Sequence, residues 1–283
     1  MARRKPSKRY PVQRTINLAS PSPVPANTFV DVGAVLSQTN HRLYRQGRYY
    51  ECSVTIDSNV ADNTTVDVYA LADTWMVEKA WQMAKSAFDA SNAEEMEMLN
   101  GRIARWNDFR VATGLTGFGG LNATNFLKGT LSANQFLVGQ FDLSNVVDQS
   151  GATRTFTWGT PSASSYSIIE EYDASGNTSW DPTYPATGPY NGLLPNLETG
   201  AADALQADGR KPPYDEQDIG QAIWVKVGTL HLSAGRQRLS TGFFTAPCGL
   251  IALTNTGFLS NPDIQVEMKS GDYKGVKAPT MME

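Results

Sequence analysis

The side chains able to do chemistry are spread unevenly along this 283-residue sequence. Its first fourteen residues, MARRKPSKRYPVQR, hold Arg3, Arg4, Lys5, Lys8, Arg9 and Arg14 and no acid. With six of the 24 basic residues in that arm, the remainder carries 18 against 28 acidic ones, a net of −10. A block of like charges with no apolar face cannot bury itself, so the arm is expected to be disordered or extended. What it can do is hold a polyanion: phosphate contacts on nucleic acid need charge but no particular base sequence. The run RRKPSKR would also suffice as a nuclear-import signal, a use compatible with binding. Pro6 and Pro11 argue against an amphipathic presequence, because they break the helix one would form.

A second basic cluster lies in HRLYRQGRYY, where Arg42, Arg45 and Arg48 are interleaved with Tyr44, Tyr49 and Tyr50. Rings beside guanidinium groups can stack on unpaired bases while the charges follow the backbone, which makes Tyr44 and Tyr49 binding candidates beside the three arginines. A solvated loop whose tyrosines cap the core would have the same composition, and the sequence leaves the two open.

Catalytic patterns are lacking. The chain has two histidines, His41 and His231, and no HExxH, GxSxG, CxxC or DxDxDG pattern, so no catalytic residue, metal site or cofactor is assigned and the chain reads as a non-enzyme. The glycine-rich VATGLTGFGGLN follows a helical pattern and meets no phosphate-loop spacing, which leaves its glycines as turn formers. Asp173, Asp181, Asp215, Glu216 and Asp218 read as solvated carboxylates in preference to ligands of a hard cation. Cys52 and Cys248, in strand-like apolar contexts, read as buried free thiols. Paired carboxylates that converge only in space stay possible, so the alternative function is a β-sandwich carbohydrate-binding protein or glycosidase.

The elements that must position these groups are mostly strands. SPSPVPANTF places Pro21, Pro23 and Pro25 at alternate positions, which predicts a stiff extended spacer and divides the chain into an arm with spacer, 1–26, and a folded body, 27–283. Phe29 to Leu36 reads as a strand. Cys52, Val54 and Ile56 alternate with polar neighbours, as do Val66, Val68 and Ala70, which is the period of half-buried strands. The period then becomes helical: Val77, Trp81, Ala84 and Phe88 share one stripe, and Ser91 with Glu94 resembles a capping box, so a helical pair over 73–110 is expected to pack on the sheet. Phe136 to Leu143, Arg154 to Trp158 and Tyr166 to Tyr172 suit β structure. A proline-rich surface loop occupies 174–218. Farther on, Val225 and Val227 share one phase and Leu230 and Leu232 the other, so Gly228 marks a β-bulge. LSTGFFTA, GLIALTN and DIQVEMK continue the β pattern. About ten strand candidates argue an antiparallel sandwich or barrel. No apolar run approaches a membrane span and no apolar h-region follows the basic start, so neither a transmembrane segment nor a secretory signal is expected.

A basic arm, a β-sandwich and a long projecting loop together suit the jelly roll of viral shells. The stretches LADTWMVEKAWQMAKSAFDA, ARWNDFRVATG, IWVKVGTLHLSAGRQRLSTGFFTAPCGL and SGDYKGVKAP resemble segments of capsid proteins from small circular single-stranded DNA viruses. The resemblance covers about half of the body and speaks for family and fold, since these are not active-site motifs. It implies an all-β fold with a helical insertion, an antiparallel jelly-roll sandwich that self-assembles into an icosahedral shell of about 60 copies or a multiple. It further implies that the arm faces the packaged genome, single-stranded DNA in preference to RNA. The chain would then reside in the virion, with passage through a host nucleus during assembly.

Overall fold

A computed structural model describes residues 11–19, 26–58, 64–98, 107–114, 126–129, 141–174, 223–235, 237–256 and 262–282. Strand β1 (Thr15–Ala19) is followed by β2 (Asn27–Asp31), helix α1 (Val32–Asn40), β3 (Tyr49–Asp57) and β4 (Thr64–Leu71). A long insertion then carries α2 (Trp75–Ser91), α3 (Ala93–Met98), β5 (Lys128–Gly129), β6 (Asn145–Val147), β7 (Thr153–Thr157), β8 (Ser165–Ser167) and α4 (Ile168–Ala174). The chain returns through β9 (Trp224–Leu232), β10 (Arg238–Ser240), β11 (Phe244–Pro247), β12 (Leu250–Asn255) and β13 (Asp263–Met268), and ends in a small hairpin of β14 (Ser270–Gly271) and β15 (Gly275–Val276).

Two antiparallel sheets form a sandwich. One has the order β10-β3-β13-β1-β5, with β11 also paired to β3; the other has the order β2-β12-β4-β9. Alternation along the strands puts Val54, Ile56, Val66, Val68, Ile264 and Val266 into one shared core, as period-two burial requires. The predicted bulge is present: the β4–β9 register shifts between Val68 and Tyr69, where Gly228 and Lys226 are their partners. Cys52 and Cys248 are free and buried.

Hydrogen bonds between connections define two ends of the sandwich. At one end Val32 N–H donates to Gly249 O (2.8 Å), Ala72 N–H to Ile223 O (2.7 Å) and Tyr49 N–H to Pro279 O (3.0 Å). At the other, Ser58 N–H donates to Gln237 O (3.0 Å) and Asn255 N–H to Ala26 O (2.9 Å). The insertion leaves from the first end and builds a second, aromatic core there. Trp81, Ala84, Phe109, Phe156, Trp158, Ile168 and Ile169 pack in it with Leu71, Leu250 and Met281.

Several expectations are corrected. Residues 15–19 are a sheet strand, with Ile16 and Leu18 in the core, so the body begins at β1 and the proline-rich stretch links two strands; residues 20–25 themselves lie outside the described residues. Phe29 to Leu36 is a strand that turns into a helix at Asp31, whose side chain accepts from Ala34 N–H at 2.8 Å. Both sides of this segment are buried, so no periodicity marked the change. Tyr166 to Tyr172 divides in the same way between β8 and α4. Ser91 closes α2 by donating to Phe88 O (2.8 Å) instead of capping a following helix. Residues 107–110, expected in the helical pair, are not helical, and Ala112 bridges Thr157. Of Phe136 to Leu143 only 141–143 are described, and they form no strand; the loop 174–218 falls outside the described residues except for Ala174, the last residue of α4. No described helix is long and apolar enough to cross a membrane.

Candidate polyanion-binding site

Three distant segments meet at the insertion-bearing end of the sandwich. The first is the root of the arm. Gln13 and Asn40 exchange two hydrogen bonds, Gln13 N–H to Asn40 Oδ1 (2.8 Å) and Asn40 Nδ2 to Gln13 O (3.1 Å). Arg14 Nε donates to Gly275 O at 2.7 Å. The second segment is 41–48. His41 ends α1 in the left-handed region at φ 50°. Ser37 then organises the turn, since its hydroxyl donates to Gly33 O (2.6 Å) and accepts from Tyr44 N–H (2.7 Å). The third is the hairpin around Tyr273 and Lys274, with Lys274 at φ 49°.

Tyr273 is the hub. Its hydroxyl accepts from Arg45 N–H at 3.1 Å. The Arg48 guanidinium lies over its ring, 3.4 Å from the centroid, and donates to Ala278 O at 2.8 Å. Tyr44 meets the ring edge-on at 5.8 Å and donates its hydroxyl to Lys274 O at 3.0 Å. The Lys274 ammonium donates to Leu43 O and sits 5.4 Å from the Tyr273 centroid. Arg14, Arg42, Arg45, Arg48 and Lys274 thus share one patch.

The charge balance of the patch is one-sided. Burial holds the Lys274 ammonium below its ordinary pKa, and Arg45, Arg48 and Arg42 lower it further, against one opposing carboxylate, Asp108. Asp108 is itself heavily used: it faces Arg45 at 3.3 Å and Arg110 at 3.6 Å and accepts from Gln46 N–H at 2.8 Å. Arg110 is fully committed inside, with Asp31 at 2.9 Å and both side chains buried. Burial pushes the Asp31 carboxyl up more strongly than Arg110 pulls it down. By contrast Lys269 and Lys277 both hold Glu51, whose carboxyl they keep below its usual range. Among the described residues, Arg14, Arg42, Arg48 and Lys274 have no carboxylate within ion-pair distance.

Of the residues singled out in the sequence, Arg14, Arg42, Arg45 and Arg48 are brought together; Arg3, Arg4, Lys5, Lys8 and Arg9 lie outside the described residues. The two tyrosines offer no stacking face. Tyr44 is buried. Tyr49 is half-buried and turned toward α2, donating to Glu78 Oε2 at 2.7 Å, and burial with the Glu78 carboxylate raises its pKa. These tyrosines cap the core, while Arg42 and Arg45 are exposed and Arg48 lies half-buried over the Tyr273 ring. Tyr273 and Lys274 were missed, because a short hairpin more than two hundred residues away carries no local sign of its neighbours; the four residues DYKG in a tight turn were the available hint.

A concavity of about 350 Å³ lies between α2, α4 and the β6–β8 sheet, away from the cation patch, lined chiefly by apolar groups such as Met83, Ala84, Phe156 and Ile168, with Glu171 among its few polar ones. Among the described residues no three His, Cys, Asp or Glu side chains group as metal ligands. His231 is occupied at its Nδ1 by the Thr65 hydroxyl, 3.2 Å away, and burial raises both thiols above their ordinary pKa. No protein-family model matches the chain, nor does any curated protein or solved structure.

Proposed function

We propose that the chain is the structural subunit of a viral shell, a jelly roll that self-assembles into closed icosahedral particles of about 60 copies or a multiple and packages its genome through the basic arm. The observation that carries this reading is connectivity. The chain crosses between sheets at every link from β1 to β4 and again from β9 to β13, apart from the β10–β11 step and the insertion-bearing β4–β9 link. That alternation between a six-stranded and a four-stranded sheet is the connectivity a jelly-roll reading calls for. The resemblance of residues 71–90, 104–114, 223–250 and 270–279 to capsid segments of circular single-stranded DNA viruses points the same way. It favours DNA over RNA as cargo. Arg14 at the rim of the cation patch supports an arm that leaves the body where positive charge is already gathered. The virion is then the site of action, and RRKPSKR suits nuclear import before assembly.

Size-exclusion chromatography of the full chain at neutral pH and moderate salt, followed by negative-stain imaging, tests the reading. Closed particles in the megadalton range are expected. A strictly monomeric protein at high concentration overturns it.

A further inference from the structure

We propose that the folded body carries its own phosphate-binding site at the root of the arm, formed by Arg42, Arg45, Arg48 and Lys274 around Tyr273, which grips the phosphodiester backbone of a nucleic-acid strand without help from the arm. The choice of ligand rests on the packaging reading; the existence of the site rests on geometry.

The cations are gathered by the tertiary fold, since the 42–48 turn and the Tyr273 hairpin, 230 residues apart at the Tyr44–Lys274 hydrogen bond, meet at one end of the sandwich. Holding them there is unfavourable in two independent ways. Lys274 is a non-glycine residue at φ 49°, a conformation that side chains adopt only when the surroundings impose it. Its ammonium is partly desolvated beside three guanidinium groups. Local strain and uncompensated like charge in one place are expected where a ligand supplies the missing opposite charge. The donors are also fixed in advance. Arg48 is stacked on Tyr273 and tied to Ala278 O, and Lys274 is tied to Leu43 O, so little ordering entropy is lost on binding.

The ligand class follows from the donors. A set of guanidinium and ammonium groups with no free acceptor selects oxyanions, and guanidinium groups favour phosphate geometry. Arg45, 54% exposed, has only the shared Asp108 as counter-charge, so a phosphate can replace that contact. Tyr44 is buried and Arg48 occupies one face of the Tyr273 ring, so the groups the described site presents are cations in preference to stacking rings. The site therefore binds backbone without base preference. It supplies a fixed first contact, whereas the arm follows the strand wherever it runs.

The test uses the full-length chain with Arg3, Arg4, Lys5, Lys8 and Arg9 all changed to Gln, so that only the body can bind. Fluorescence anisotropy with labelled single-stranded oligonucleotides of two base compositions should show binding of equal affinity to both. Adding Arg42→Gln, Arg45→Gln and Lys274→Gln should weaken it by at least about tenfold, as lost charged hydrogen bonds do. The slope of log affinity against log salt should fall by about 0.7 per cation removed. Lys274→Arg should retain affinity. If Lys274→Gln does not fold, the Arg42→Gln/Arg45→Gln pair, both on exposed side chains, makes the same comparison. Should the neutral-arm protein bind no better than its patch variant while the unaltered chain binds, the body site is overturned and packaging by the arm stands. If the unaltered chain binds no strand at all, the packaging reading fails with it. Displacement of the strand by equimolar pyrophosphate would assign the site to small anions and overturn its assignment to a strand.

Discussion

Two of the hydrophobic cores among the described residues are made of different material. The sandwich core is aliphatic and repetitive: Val54, Ile56, Val66, Val68, Ile251, Ile264 and Val266 come from strands that each supply alternate residues. The second core is aromatic and assembled piecemeal. Trp81 comes from α2, Phe109 from an extended segment, Phe156 and Trp158 from around β7, and Met281 from the end of the chain. Its rings meet at tilted and edge-on angles, Phe109 with Phe156 at 5.2 Å and 70° and Trp81 with Phe109 at 5.6 Å and 64°, geometries that add to simple area burial. A regular lattice of alternating strands can be specified by pattern. Separate large side chains can fill a volume only if every segment arrives in place.

Two features join the cores into one unit. β12 is buried on both faces, with Ile251 and Leu253 in the first core and Leu250 in the second. The buried Asp31–Arg110 pair ties α1 to the insertion. Arg110→Ala would leave the Asp31 carboxylate buried and unpaired, and should cost about 3–5 kcal/mol in urea unfolding. Because the folded state already raises the Asp31 pKa, the ionised carboxylate is a cost that is complete above the folded pKa and relieved as pH falls through it. The deficit of Arg110→Ala should accordingly shrink on acidification. A loss under about 1 kcal/mol, or one that grows in acid, would separate the two cores energetically.

Trp81→Ala should cost a similar amount, about 3–5 kcal/mol, and unfolding should stay a single transition by fluorescence and circular dichroism together. Two separated transitions would mean that the aromatic core is an independent layer attached to the sandwich. The opposite change, Gly47→Ala, probes overpacking. A Cβ at Gly47 would stand 2.1 Å from the Trp81 ring, so about 1–3 kcal/mol should be lost, and Trp81→Leu should recover part of it. Smallest is the surface clamp on Glu51. Its pKa is lowered by Lys269 and Lys277, so its contribution is complete above the unfolded pKa and lost as pH falls through the folded one. Glu51→Gln should cost no more than about 1 kcal/mol, measured at neutral pH, and the difference should vanish in acid or high salt.

The residue pattern alone determined the strands of the first core, the bulge at Gly228, the stripe of α2 and the concentration of positive charge in the first fourteen residues. Each of these is a local consequence of one-sided burial or of composition, so period and charge suffice to specify it. Thr15–Ala19 escaped notice because a five-residue strand next to a charged arm has too few alternations to register. The change from β2 to α1 escaped because burial on both faces erases the period. Which way Tyr44 and Tyr49 turn, and that Arg42, Arg45 and Arg48 meet Lys274, was decided only by the tertiary structure. The hydrogen bond from Tyr44 to Lys274 O spans 230 residues, and a contact of that separation leaves no trace in the spacing of either segment.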